Sequence, residues 1–118
     1  MDKQLTANFR SEEFCCRCGC GFCDIDMKVV QALQDLRDLL GKPIHILSGC
    51  RCPAHNAAVG GVGGRQHLIG KAADITIRDM TPSDVADYVE KFVPEFCNGG
   101  IGRYPGFTHC DVGPKRRW

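Results

Sequence analysis

The chain has no apolar run approaching the roughly 18 residues that a membrane-spanning helix needs. It has no excess of one charge either: the formal net charge is +1, which points to neither nucleic acid nor a membrane surface as a partner. The start, Met1-Asp2-Lys3-Gln4, is polar and lacks the apolar core of an export signal, so synthesis in the cytoplasm is the expectation. Internal repeats, linkers and low-complexity tracts are missing as well. A length of 118 residues, 43% hydrophobic and 25% charged, suits one compact domain over 1–118 with a modest core. The short basic run Lys115-Arg116-Arg117 reads as a solvated terminus.

What the chain does have is cysteine, nine in all. The count is odd, so at least one stands outside any intramolecular pair. With no export signal, reduced thiols or metal ligation are expected before a disulfide framework. Cys15, Cys18, Cys20 and Cys23 are spaced C-x2-C-x-C-x2-C with Cys16 inside, and Cys50 and Cys52 flank Arg51. Four thiolates suffice for a structural zinc, although this is not the spacing of a standard zinc ribbon. A second metal site, disulfides and free thiols all remain open.

Residues 1–25 look irregular. Asp26 is a helix N-cap, and Met27, Val30, Leu33, Leu36 and Leu40 form an apolar stripe at helical spacing. Gly41 and Pro43 end that helix. Ile44 to Leu47 is a short strand, and Pro53 to Val59 a short helix halted by Gly60 and Gly61. Gly60 to Gly64, with four glycines, reads as an unusually turned loop. Ala72 to Arg78 alternates as a strand, with Ala73, Ile75 and Ile77 on one face and Asp74, Thr76 and Arg78 on the other. Thr81-Pro82-Ser83-Asp84 opens a second helix that runs to about Phe92. Gly99 to Arg103 and Phe107 to Val112 are strands joined by a turn at Tyr104-Pro105-Gly106. The expected class is α+β, a small and mainly antiparallel sheet packed with two principal helices.

Two segments carry chemistry. Gln66 to Asp74 places His67 at a loop edge and Asp74 in a strand, with Gly70 allowing a turn between them. An unpaired carboxylate among the apolar neighbours of Asp74 would be costly, and a cation would relieve it. In Phe107 to Val112, His109 and Asp111 project to the same strand face, roughly 7 Å apart by strand rise. If the two strands are neighbours, His67, Asp74 and His109 converge. Two histidines and a carboxylate are a usual catalytic zinc set that leaves one position for water. Spacing alone leaves the blander roles open: structural histidines, and a strand aspartate acting as a cap or ion-pair partner.

Four segments together resemble the zinc D-Ala-D-Ala carboxypeptidase family. They are Ser48-Gly49-Cys50-Arg51-Cys52-Pro53-Ala54-His55-Asn56; Val59-Gly60-Gly61; Gln66-His67 through Gly70 to Ala72-Ala73-Asp74-Ile75; and Gly99-Gly100-Ile101-Gly102-Arg103-Tyr104 through His109-Cys110-Asp111-Val112. The likeness runs from about Phe9 to Trp118 and is greatest to the small peptidoglycan-cleaving branch found in bacteriophages and bacteria. Hedgehog signalling domains are similar in fold.

The resemblance implies a hedgehog/DD-peptidase-like fold with zinc held by His67, Asp74 and His109. It implies metal-assisted hydrolysis of peptide bonds involving D-amino acids in peptidoglycan stem peptides. Such an enzyme, a carboxypeptidase or endopeptidase and a candidate phage lysis protein, would act as a monomer at the bacterial cell wall after release or export. Asp111 is the candidate general base, its alternative being to orient a ligand histidine. Arg51 matches the family's arginine and is a candidate to hold a substrate carboxylate or an oxyanion, its alternative being a structural ion pair. Two positions depart from relatives: Arg65 stands where serine is frequent, and Gly106 where many carry an acid. They leave room for a catalytically inactive zinc-containing binding or phage structural module. His45 and His55 are not assigned to the metal. Relatives also carry a Cys-x-Cys-Gly-Cys run and a cysteine after the arginine, which implies that Cys16, Cys18 or Cys20 meets Cys52 in space; a second structural zinc site at Cys16, Cys18, Cys20 and Cys52, disulfides and free thiols are the alternatives.

Overall fold

Asp26 accepts a hydrogen bond from the Lys28 N–H and starts helix α1, Met27–Leu40, which Gly41 ends in the left-handed conformation at φ +64°. The inward stripe of α1 includes Val29, Val30, Leu33 and Leu36, all fully buried. Gln34 is buried with them, because its amide is bonded to the Asn8 backbone, the Asn8 side chain and Asp38. A computed structural model describes residues 2–58 and 65–118. The expected glycine loop at Gly60 to Gly64, and Val59 at the end of the expected short helix, lie outside the described residues.

The chain continues through strand β1 (Ile44–Ser48), helix α2 (Pro53–Ala58), a single turn α3 (Arg65–Leu68) and strand β2 (Ala72–Ile77). Helix α4 (Pro82–Phe92), a turn α5 (Pro94–Cys97), and strands β3 (Gly100–Arg103), β4 (Thr108–Asp111) and β5 (Arg116–Arg117) follow. Thr81 caps α4 through Asp84, and Pro82 takes its first position. The sheet order is β1-β2-β4-β3-β5, antiparallel except for the β3–β5 pair. This is the α+β class, with a mainly antiparallel sheet and two longer helices, that the patterning predicts.

Ala73, Ile75 and Ile77 of β2 enter a core with Ile44, Ile46, Ile101, Cys110, the stripe of α1 and the Val85, Ala86 and Val89 face of α4. Phe9 and Phe14 from the N-terminal segment join it, their ring centroids 6.0 Å apart. That segment is therefore part of the core; it holds a 3-10 turn at Ser11–Phe14 and an isolated bridge between Gln4 and Arg10. Because the strand period is two, the face of β2 opposite the core carries Asp74. There the register sets Asp74 opposite His109, Ala72 opposite Asp111 and Gly102 opposite His109.

The terminal basic run is more engaged than a solvated tail. Arg116 and Arg117 form β5 beside β3, and Arg117 pairs with Glu90 at 2.6 Å.

Candidate metal centre

His67 lies on α3, inside a helical turn rather than at the loop edge the sequence suggests. The Arg51 N–H donates to the His67 carbonyl at 3.0 Å and the Gly70 N–H to the same oxygen at 3.3 Å. Gly70 takes φ +70°, and a Cβ there would strike the Asp24 carbonyl. A glycine is therefore required for the chain to turn from α3 into β2. Asp74 and His109 are cross-strand neighbours, so three sequence-distant side chains meet above one sheet face.

All three are buried, at 1%, 4% and 3% exposure for His67, Asp74 and His109. One ligand atom from each lies within 4.8 Å of the others. His67 Nε2 is 3.1 Å, and His109 Nδ1 2.9 Å, from the same oxygen, Asp74 Oδ1.

The groups behind the two rings suit one neutral tautomer of each. His67 Nδ1 lies 2.6 Å from the Gly49 carbonyl, so that nitrogen carries the proton. His109 stands between two carboxylates, with Nε2 2.7 Å from Asp111 Oδ2; a neutral ring with its proton on Nε2 donates to Asp111. In the neutral rings, the lone pairs of His67 Nε2 and His109 Nδ1 then face a carboxylate oxygen. In that protonation state three acceptors converge with no donor among them, and either a proton or a divalent cation must stand between them. The donor set, two nitrogens and one oxygen with N–H partners behind both rings, fits a zinc ion with an open fourth position.

Two further residues hold this set. Arg51 Nη2 donates to Asp74 Oδ2 at 2.6 Å, while its Nε bonds Ser48 Oγ at 2.9 Å and its Nη1 bonds Asn56 Oδ1 at 3.1 Å. Asp111 is fully buried, and its Oδ1 accepts from the Gly100 and Gly113 N–H groups at 2.9 and 3.0 Å. Its carboxylate lies at the Nε2 edge of His109, and Asp74 at the Nδ1 edge. Without metal, burial alone would raise the Asp74 pKa, but hydrogen bonding with His109 and His67 and the positive charge these rings carry when protonated hold it well below the usual carboxylate range. Burial opposes the charged form of His109, yet Asp111 and Asp74 outweigh it and raise its pKa.

Residues 7–111 match the family model described as peptidase M15. The chain belongs to the peptidase M15 family. The matched span includes His67, Asp74 and His109 together with Arg51 and Asp111. M15 peptidases are zinc-dependent, in keeping with the donor chemistry of this M15 chain. None of the curated proteins compared matches the chain.

Outside the matched span lies Trp118, which sequence reasoning missed. Its ring packs 4.9 Å from the His109 ring, its indole N–H donates to the Tyr104 hydroxyl at 2.6 Å, and the Arg116 guanidinium lies 4.6 Å above it. The sequence trace of this contact is Gly102. A Cβ at Gly102 would come within 2.6 Å of the indole, so the glycine makes room for the ring. His55 sits half-buried on α2, its N–H directed to Cys52 Sγ, and His45 is exposed on β1. Neither belongs to the His67 group of ligand atoms. Cys15 and Cys23 form a disulfide, whereas Cys16, Cys18, Cys20 and Cys52 gather as a second group of potential ligands among the described residues.

Proposed function

We propose that this M15 peptidase uses zinc at His67, Asp74 and His109 to hydrolyse peptide bonds involving D-amino acids in peptidoglycan stem peptides, as a carboxypeptidase or endopeptidase. The observation that carries the reading is the convergence of two imidazole nitrogens and one carboxylate oxygen, with a hydrogen-bond partner behind each ring. When bound, zinc supplies a Lewis acid that polarises the scissile carbonyl and acidifies a water molecule.

The chain's own residues position that chemistry. With zinc bound, the Gly49 carbonyl would hold the His67 proton on Nδ1, and Asp111 the His109 proton on Nε2. Arg51 aims Asp74 through its 2.6 Å contact with Oδ2. Three of the five guanidinium N–H groups suffice for Ser48, Asn56 and Asp74, which leaves others to meet a substrate carboxylate or a developing oxyanion. Asp111, with both oxygens held and set at the far edge of His109, is read as the group that orients the ring rather than the general base. Trp118 walls one side of His109 and gives the site an apolar surface against which a substrate side chain would rest. The place of action is the bacterial cell wall, reached after release or export, and the protein acts there as a monomer.

A second reading, a zinc-holding module without turnover, draws on the same commitment of Asp111 together with Gly106 in place of an acid. Purified peptidoglycan and stem peptides ending in D-Ala-D-Ala separate the two. The zinc-loaded protein is expected to release new amines, to lose this activity with a chelator and to regain it with zinc, and product masses identify the bond cut. Zinc-replete protein that releases no amine from either substrate favours the inactive module.

A further inference from the structure

Between the N-terminal segment and the loop after β1, four sulfurs approach one point. Cys16 Sγ lies 3.4 Å from Cys18 Sγ, and Cys18 Sγ lies 3.6 Å from Cys52 Sγ. With Cys20 included, the four lie within 4.8 Å of one another. A disulfide would require a separation of about 2.05 Å. A tetrahedral zinc with Zn–S bonds of about 2.3 Å spaces its sulfurs about 3.8 Å apart, close to what is seen.

Two backbone donors already face these sulfurs: the Cys52 N–H lies 3.4 Å from Cys16 Sγ, and the His55 N–H 3.4 Å from Cys52 Sγ. Such donors stabilise sulfur that carries negative charge. Gly19 and Gly21 take φ +82° and +91° with no atom within 4 Å of where a Cβ would stand. They are needed for backbone conformation rather than for space, and they curl the Cys18–Cys20 segment so that alternate residues face the same centre.

We propose that Cys16, Cys18, Cys20 and Cys52 bind one structural zinc ion, distinct from the His67 centre, which clamps the N-terminal segment to the loop carrying Arg51. That loop serves the other centre directly. The Gly49 carbonyl fixes His67, Arg51 fixes Asp74, and Cys52 follows at once. The clamp therefore braces the backbone that aims two of the three ligands of the His67 centre. The clamp itself does not depend on the chain being a hydrolase; only the bracing role rests on the His67 centre binding zinc.

Metal analysis of the full chain, prepared reduced and with zinc, tests this. Wild type is expected to hold two zinc ions per chain. The His67→Ala variant and the Cys18→Ser/Cys20→Ser variant should each retain one. A mercurial thiol reagent should release one ion from wild type without any substitution, and cobalt(II) bound to His67→Ala should show thiolate-to-cobalt charge-transfer absorption. Zinc in wild type that the mercurial does not release, or cobalt-loaded His67→Ala lacking that absorption, overturns the site. Iron in place of zinc at the cysteines overturns the metal assignment. If the His67 reading fails instead, His67→Ala keeps as much zinc as wild type, an outcome separate from the thiol results. In Cys18→Ser/Cys20→Ser the remaining site should hold zinc about 10-fold more weakly; unchanged affinity overturns the bracing role.

Discussion

Asp111 shows how much a single proton position matters at this centre. Its Oδ2 receives the His109 Nε2–H, and its Oδ1 receives two backbone N–H groups. Asp111→Asn preserves shape but must place an NH2 group against either His109 Nε2–H or the Gly100 and Gly113 N–H groups. The less damaging choice keeps the amide oxygen on the backbone and flips the His109 tautomer, which puts a proton on the nitrogen facing Asp74. Zinc affinity in Asp111→Asn is therefore expected to fall about 10–100-fold, as read by competition with a chelator. A general base would behave differently, with zinc retained and only turnover lost, so unchanged affinity would return Asp111 to that role. Sequence alone kept both roles open, because same-face placement of His109 and Asp111 on a strand does not say which ring nitrogen each carboxylate meets. Arg51 is a similar case. Its motif was visible in the sequence, but its contact with Asp74 Oδ2 depends on a loop fold that no spacing rule supplies.

The strand pair β3–β4 turns that residue chemistry into a requirement on backbone. Gly100 faces Asp111, and a Cβ at Gly100 would lie 2.7 Å from the Asp111 Cγ. The carboxylate cannot retreat, since hydrogen bonds hold both oxygens. Gly100→Ala is expected to cost about 1–3 kcal/mol by overpacking, measured by denaturant melts, and to weaken zinc binding with it. Gly106, with nothing within 4 Å of its Cβ position, is the control, and Gly106→Ala should stay within about 0.5 kcal/mol of wild type. Equal effects at the two glycines would remove the packing argument. The longer elements were legible beforehand because each had a period and a cap: α1 from Asp26 to Gly41, α4 from Thr81, and β2 from its alternation. The single turn α3, the two-residue β5 and the contact of Trp118 with His109 were not. Elements that short have no period to detect, and their placement is set by tertiary partners.

At the scale of the whole molecule, the centre couples metal, protons and stability. Asp74 and Asp111 are held below their ordinary pKa values. In metal-free protein they stabilise the fold above about pH 4, and that contribution is lost as acid carries the pH down through their folded values. His109 is held above its ordinary value. Its contribution is complete below about pH 6.5 and is lost as pH rises through the raised folded value. Without metal, these groups together favour the mildly acidic window between those limits. Zinc held by His67, Asp74 and His109 would reverse the alkaline side, because it would compete with the His109 proton and bind more strongly as imidazole deprotonates. A ligand that binds only the folded chain adds stability in proportion to the logarithm of its occupancy ratio. The gap in Tm between zinc-loaded and chelator-treated protein is therefore expected to widen from about pH 5 to about pH 8. Melts of the Cys18→Ser/Cys20→Ser variant isolate the His67 centre in this measurement. A gap that stays constant or narrows with rising pH would mean that zinc does not displace that proton, and the centre would have to be read as a protonated His-Asp-His cluster instead.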